Sequence, residues 1–268
     1  MDKRAYLYDN LAGWEKNKGL YPIHKRLITF EYNGRACRDV NDVIHQQPFA
    51  ASENVLDAGC GVGNTIIGLV GKKNVHGIGI SISTAEIAAA TKNALSHGVE
   101  KSCHFFNQGF DEPLHYNFNK AIAIESLKHS FNIEKTALNL YNHCNTGGRI
   151  YIVDDFYSGN GGNTGFEKQL IQDWGLQSLY SRKEFINAFT NAGFVYQSTF
   201  DFSAFIIPKS KGILQLKVAV FSFFEKATSN LIRKNLLAVF KSGFILEYLF
   251  QQKKFTYELL VFSKPPEP

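Results

Sequence analysis

Short apolar runs alternate with amphipathic segments from residue 54 onward, and this alternation organises most of the chain. Strand-like runs fall at 54–58 (NVLDA), 75–80 (VHGIGI), 103–107 (CHFFN), 120–124 (KAIAI) and 149–154 (RIYIVD). Their length and β-branched or aromatic content read as buried strands, not helices. The segments between them have helical composition. Ser83–Ser96 (STAEIAAATKNALS) opens on Ser83 as a candidate N-cap with Glu86 three residues on, and Gly98 follows as a stop. Strands alternating with helices require crossover connections, which predicts a parallel sheet covered on both faces.

Two further runs, 194–200 (FVYQSTF) and 256–262 (TYELLVF), read as the last strands. The interval between them, about 55 residues, is too long for a loop. It contains LQLKVAVFSFFEKATSNLIRKNLLAVF, which reads as inserted helices, either a packed extension of the core or an apolar cap. The cap is the reading taken, because such an insertion leaves the sheet beyond the strand ends, where ligands bind in open α/β sheets. Residues 1–53 read as helices leading into the core, with KNKGLYPIHKRLITF as a lid segment. The expected organisation is N-terminal helices and lid (1–53), a core (54–200), a helical cap (201–255) and a final strand with its tail (256–268).

Composition narrows the class. Apolar residues make up 44% of the chain and charged residues 20%, ordinary values for a globular protein. The formal charge of +5 is carried by scattered Lys and Arg, which favours a solvated surface over a nucleic-acid groove. The four cysteines show no C-x-x-C spacing and read as reduced thiols in a cytoplasm, with neither a disulfide frame nor a metal site. MDKRAYLYDNLAGW lacks the apolar core of a signal peptide, and no apolar run approaches the ~18 residues of a membrane helix. A cytoplasmic protein with no stable membrane insertion is expected.

The candidate chemistry centres on VLDAGCGVGNT (55–65). A dinucleotide turn is G-x-G-x-x-G with an acid about 20 residues later. Here Gly59, Gly61 and Gly63 give G-x-G-x-G, and Asn64 stands in the place of the third dinucleotide glycine. The second strand ends on Ser81 and Ser83 with no acid, and Asp57 precedes the turn, where its charge opposes a pyrophosphate. A ligand with a cationic amino acid part and no phosphates, S-adenosylmethionine, suits Asp57 better.

VLDAGCGVGNT resembles the first motif of class I S-adenosylmethionine-dependent methyltransferases. Four further stretches match in order: GISISTAEIAAA (79–90), ESLKHS (125–130), NTGGRIYIVDDF (145–156) and FINAFTNAGF (185–194). They are similar to the subgroup that methylates lipids, sterols, isoprenoids and small natural products, with Glu86 where that pattern has Gln. NKGLYPIHKRL also resembles the subgroup's lid. The resemblance implies an α/β fold with a Rossmann-like, seven-stranded, mostly parallel sheet, helices on both faces and an inserted helical cap. It implies that Asp57 and the turn of Gly59, Cys60, Gly61 and Gly63 hold the methionine part of the cofactor. Ser81 and Ser83 fall at the ribose, where a hydroxyl or a water replaces the usual acid. Asn107 and Gln108 fall where relatives contact the adenine. Asp57 and the two serines also have a purely structural alternative as caps.

A sulfonium methyl is already electrophilic, so the protein must align a nucleophile and exclude water. An alkene acceptor needs a carboxylate to stabilise the carbocation and take the proton, and Glu125 stands where the terpene and sterol relatives carry that base. A hydroxyl acceptor needs a base, and sugar O-methyltransferases use the His of a similar E-S-x-x-H stretch, here His129, with an Asp after the fifth strand. Asp154 and Asp155 both stand there, and strand alternation sends them to opposite faces, so one of the two is expected to reach the site. Glu125 and His129, four residues apart, would share a face if the segment is helical. Tyr21, His24 and Trp174 are candidate pocket residues for the acceptor, a small apolar molecule. Carbon methylation is placed first, oxygen second and nitrogen third. A cofactor-binding protein without catalysis, and an RNA or protein methyltransferase, remain as alternatives. The second lacks the N/D-P-P-[YF] motif. The apolar cap is a candidate homodimer or membrane-surface face.

Overall fold

The computed structural model describes residues 26–159 and 165–266. Seven strands form one sheet: β3 (Asn54–Ala58), β4 (His76–Ser81), β5 (Cys103–Asn107), β6 (Phe118–Ile124), β7 (Cys144–Tyr157), β8 (Val195–Asp201) and β9 (Phe255–Ser263). Their order is β5-β4-β3-β6-β7-β9-β8. The first five pair in parallel, and β9 runs antiparallel between β7 and β8. This is the α/β, mostly parallel, seven-stranded sheet that the motifs implied.

Strand alternation sorts the core into two layers. Val55, Ile122, Tyr151, Val153, Leu259 and Val261 face one side. That side is covered by α2 (Asn64–Lys73), α5 (Gly165–Trp174) and α8 (Leu231–Gln251). Leu56, Ala121, Ile150, Ile152, Leu260 and Phe262 face the other. There α4 (Ile133–His143) and α6 (Arg182–Asn191) pack, Phe189 stacking on Phe262 at 4.8 Å between ring centroids. α3 (Thr84–Ser96) follows β4, capped by Ser83, whose hydroxyl accepts from Glu86 N, and it ends before Gly98 at φ +67°.

Of the region before β3 the structure describes residues 26–53, most of the expected lid lying outside them, and this part differs from the helices expected there. Phe30–Tyr32 (β1) and Arg35–Cys37 (β2) form an antiparallel hairpin, followed by the short α1 (Val40–His45). The reason is local: Asn33 and Gly34 both adopt positive φ, as a two-residue hairpin turn of the Asn-Gly type requires.

The 201–255 insertion contains α7 (Lys211–Ala227) and α8. Leu214, Phe221 and Glu225 of α7 turn toward α8, Phe221 meeting Phe244 edge-on at 5.3 Å. The opposite face of α8 packs on α5, and the Trp174 indole N–H donates to Val239 O (3.3 Å). Buried charges fix this orientation. Lys241 pairs with Glu225 (2.6 Å) and Asp173 (3.2 Å), and Glu247 takes Arg26 (3.0 Å) and the Lys209 backbone N–H (2.6 Å). Removing one partner of such a pair would strand a charge out of water, so each pair ties the hairpin to the element it meets.

Candidate active site

Everything chemically distinctive gathers at the carboxyl ends of β3, β4, β6 and β7. β3 runs into a turn in which Gly59, Gly61 and Gly63 take φ of +90°, +52° and +83°. The Gly59 and Cys60 N–H groups donate to Ile80 O at 3.0 and 2.9 Å, binding the turn to β4. Neighbours leave no room for side chains at two of these positions. A Cβ at Gly59 would lie 2.4 Å from Ser126 Cβ, and one at Gly63 would lie 2.9 Å from the Phe105 ring. Ser126 in turn donates to Ala58 O (2.6 Å), so the turn after β3 and the loop after β6 are clasped together.

Asp57 is buried, and burial pushes its carboxyl up to about 7, opposed by a hydrogen bond from the Ile66 N–H in the first turn of α2. That bond ties Asp57 to the start of α2, beside the glycine turn. At the end of β4 the expected arrangement changes. Ser81 Oγ donates to Glu86 Oε2 (2.6 Å) and accepts from Ser83 N (3.1 Å), and Ser83 caps α3. An acid therefore does stand at this strand end, carried in from the helix. Glu86 read in the sequence as a capping residue, and its place in a pattern that has Gln was the available signal. Burial, then the charges of Asp57 and Glu86, push the Cys60 thiol up, placing both carboxylates around the turn. Asn107 Nδ2 donates to Ser81 O (3.0 Å), and Gln108 is held by Pro113 O and the Tyr116 hydroxyl. Both therefore brace the rim of this region.

Glu125 is the first residue past β6. It is 2% exposed and sits at φ +52°, a left-handed conformation that costs a non-glycine residue about 1 kcal/mol. Its N–H donates to Val153 O (2.7 Å), and its Oε1 accepts from the Tyr257 hydroxyl (2.6 Å). Burial and the adjacent carboxylate hold Tyr257 well above its ordinary pKa. The chain then makes a short 3-10 turn over Leu127–His129. Glu125, left-handed before that turn, does not share a helical face with His129.

Asp154 and Asp155 correct another expectation. Both reach the same partner, Lys128: its backbone N–H donates to Asp154 Oδ2 (3.1 Å), while its ammonium bonds Asp155 Oδ1 and lies 3.3 Å from Asp154 Oδ1. β7 runs on to Tyr157 against β9, so alternation persists through both aspartates, but β6 ends opposite Val153 and Lys128 in the loop that follows it reaches both carboxylates. Burial pulls the Lys128 ammonium down, yet Asp155, Asp154 and Glu125 outweigh it and the net shift is upward. Burial raises Asp154 to about 7 against the pull of Lys128, with Asp155 and Glu125 adding to the rise. Trp174 lies over this group, its ring 5.3 Å from Lys128 Nζ and 6.4 Å from the buried His129 ring.

The structure therefore brings Glu125, His129, Asp154, Asp155 and Trp174 together, and adds Lys128 and Tyr257, which the sequence did not single out. Tyr21 and His24 lie outside the described residues. Two carboxylates meet the Lys128 ammonium, with Glu125 close enough to add to its field, so the site gathers acidic groups in largely dry surroundings.

Comparisons with known proteins bear on the family and the fold. Residues 30–199 match a family described as a methyltransferase domain. An O-methyltransferase, rstn1, of Aspergillus nomiae is 30% identical over 106 residues, which is 39% of this chain and 47% of that enzyme. The chain thus spans about half the length of the curated relative it matches. The cyclase SpnF superposes with a TM-score of 0.73 at 17% identity, over 98% of this chain and 95% of that one. A geranyl diphosphate C-methyltransferase from Streptomyces coelicolor A3(2), solved with Mg2+, geranyl diphosphate and S-adenosyl-L-homocysteine, superposes with a TM-score of 0.65 at 14% identity. That overlap covers 84% of this chain and 79% of that one. At such identities the superpositions speak for the fold, and the family match covers more than half of the sequence. The chain belongs to the methyltransferase domain family.

Proposed function

We propose that this protein transfers a methyl group from S-adenosylmethionine to carbon of a small apolar, isoprenoid- or lipid-like acceptor, with Glu125 taking the proton. The residues present fit the cofactor. Two buried acids, Asp57 and Glu86, stand at the strand ends beside a turn whose Gly59, Gly61 and Gly63 carry no Cβ, which suits a ligand with cationic and hydroxyl groups and no phosphates. When bound, the cofactor supplies an electrophilic methyl on its sulfonium.

On this reading Asp57 and the turn from Gly59 to Gly63 hold the methionine part. Ser81 and Glu86 hold the ribose, and Asn107 and Gln108 shape the adenine rim. Trp174 and the α7–α8 insertion cover the acceptor and exclude water, which strengthens every charge interaction beneath them. Glu125 then accepts the proton released as the methylated carbon collapses to an alkene.

The observation that carries the proposal is the placement of Glu125: buried, left-handed, at the carboxyl end of β6 and oriented by a hydroxyl from another strand. Strained backbone at a strand end is typical of sites that need one fixed side-chain direction. Oxygen methylation through His129 ranks second because both candidate assisting carboxylates, Asp154 and Asp155, are turned to Lys128. Nitrogen methylation ranks third.

The test is incubation of the protein with methyl-deuterated S-adenosylmethionine and a panel of isoprenoid and phenolic acceptors, geranyl diphosphate included, with products located by fragmentation mass spectrometry. Label on carbon is the expected result. Label on oxygen would move the base to His129. Cofactor binding with no label transferred to any acceptor would overturn the transferase reading, and an isomerised, unlabelled product would replace it with a cyclase-like activity.

A further inference from the structure

α7 is apolar on both of its long faces. Its inner face packs on α8, whereas Ile213, Leu216, Val220, Phe223 and Phe224 repeat at helical spacing on the outer side and are 42–67% exposed. The start of α8 continues the patch, with Leu231 62% and Ile232 44% exposed. Single exposed leucines are common, but a contiguous stripe of this length on an ordered helix marks an interaction surface.

Charge identifies the occupant. Between Lys211 and Lys234 the sole acid is Glu225, and its carboxylate is turned inward to Lys241. Lys226, Arg233 and Lys234 are exposed beside the stripe, and Lys217 flanks its other side with its ammonium 4.7 Å above the Phe244 ring. A two-fold contact with a second copy through this face would bring its cations toward other cations of the same face, with no acid between them to neutralise the repulsion. An anionic bilayer answers both features: aromatic and leucine side chains enter the headgroup boundary while lysine and arginine meet lipid phosphates and carboxylates. No helix among the described residues is long and apolar enough to cross a membrane, so the association is a surface one.

We propose that the outer face of α7 and the first turn of α8 dock reversibly on anionic lipid membranes. This does not depend on the methylation chemistry and can fail or stand without it.

The experiment is sedimentation of the full chain with phosphatidylcholine vesicles made with and without phosphatidylserine, at low and high salt, paired with sedimentation velocity of the protein alone. Binding is expected to require phosphatidylserine and to fall with salt. L216Q/F223Q/F224Q should lower the partition coefficient at least about tenfold. K226E/R233E/K234E should remove the dependence on phosphatidylserine. These residues lie outside the core, so an unchanged Tm verifies that both variants fold. Equal, negligible sedimentation with both vesicle types overturns the proposal. So does a concentration-dependent dimer that L216Q/F223Q/F224Q dissolves in a protein that ignores vesicles, because that assigns the face to a second copy.

Discussion

The Tyr257 hydroxyl donates to Glu125 Oε1 at 2.6 Å, joining the antiparallel strand β9 to a loop that lies 132 residues earlier in the chain. The bond fixes the direction of the one site carboxylate held on left-handed backbone. Tyr257→Phe removes the donor and keeps the ring. The fold should persist at a cost of about 1 kcal/mol, read from urea unfolding. The transfer rate should fall about tenfold to a hundredfold at unchanged cofactor affinity, because orientation and proton acceptance are lost while the cofactor site is untouched. Single-turnover kinetics beside calorimetric titration of the cofactor separates the two effects.

Asp57 gives the molecule a pH signature. Its folded carboxyl sits at about 7, above the unfolded value, so the native state holds a proton that the unfolded state has released between about pH 4 and pH 7. Stability should therefore decline as pH rises through that window and level off above it, by roughly 4 kcal/mol at most from this group. Asp57→Asn should flatten this part of the profile while the contribution of Asp154, also raised to about 7, persists. Cofactor binding should tighten as pH rises from about 6 to about 8 in the wild type, as Asp57 ionises, and lose that slope in the variant.

Lys128 has two carboxylates on one ammonium. Lys128→Met leaves both buried without their cation and should destabilise the fold by about 3–5 kcal/mol. K128M/D154N/D155N should recover much of that loss, since amides of the same shape carry no charge to desolvate. A triple variant no more stable than the single one would show that packing, not charge, is what Lys128 supplies. Urea unfolding of the three proteins decides it.

Gly59→Ala meets Ser126 Cβ at 2.4 Å on backbone at φ +90°. Both the clash and the conformation oppose a side chain, so the variant should lose about 2–4 kcal/mol and its cofactor affinity together. Adding Ser126→Gly relieves the clash but not the backbone strain, and it also removes the bond from Ser126 to Ala58 O, so it should restore only a small part of the stability, measurable as Tm.

The core of this fold was legible in the sequence because local pattern and tertiary role coincide there. The runs at 54–58 and 103–107 are β3 and β5 to the residue. The fifth run extends to 144–157, since glycine-rich NTGG enters the strand instead of preceding it. The hairpin before β3 was missed although Asn33-Gly34 is the strongest short-range hairpin signal, because each of its strands is too short to show an alternation. In the site, Glu125 stood out through its motif. Lys128 did not: β6 stops opposite Val153 while β7 continues against β9 to Tyr157, and alternation within β7 says nothing about a long side chain from the next loop that reaches both aspartates. Tyr257 could not be found locally, because nothing around TYELLVF signals a partner in a loop after a different strand.

β8 pairs with β9 alone among the described strands, and β9 also closes the flank of β7 along Arg149–Tyr157. Synthesis therefore delivers the sheet out of spatial order. Until β9 emerges, β7 presents an unpaired edge rich in Ile, Val and aromatic residues, and β8 has no strand to pair with. The newly made chain must carry this open edge through the whole of the α7–α8 insertion. A folding delay and vulnerability to edge-to-edge association follow, concentrated in the interval before the residue that orients Glu125 has been made.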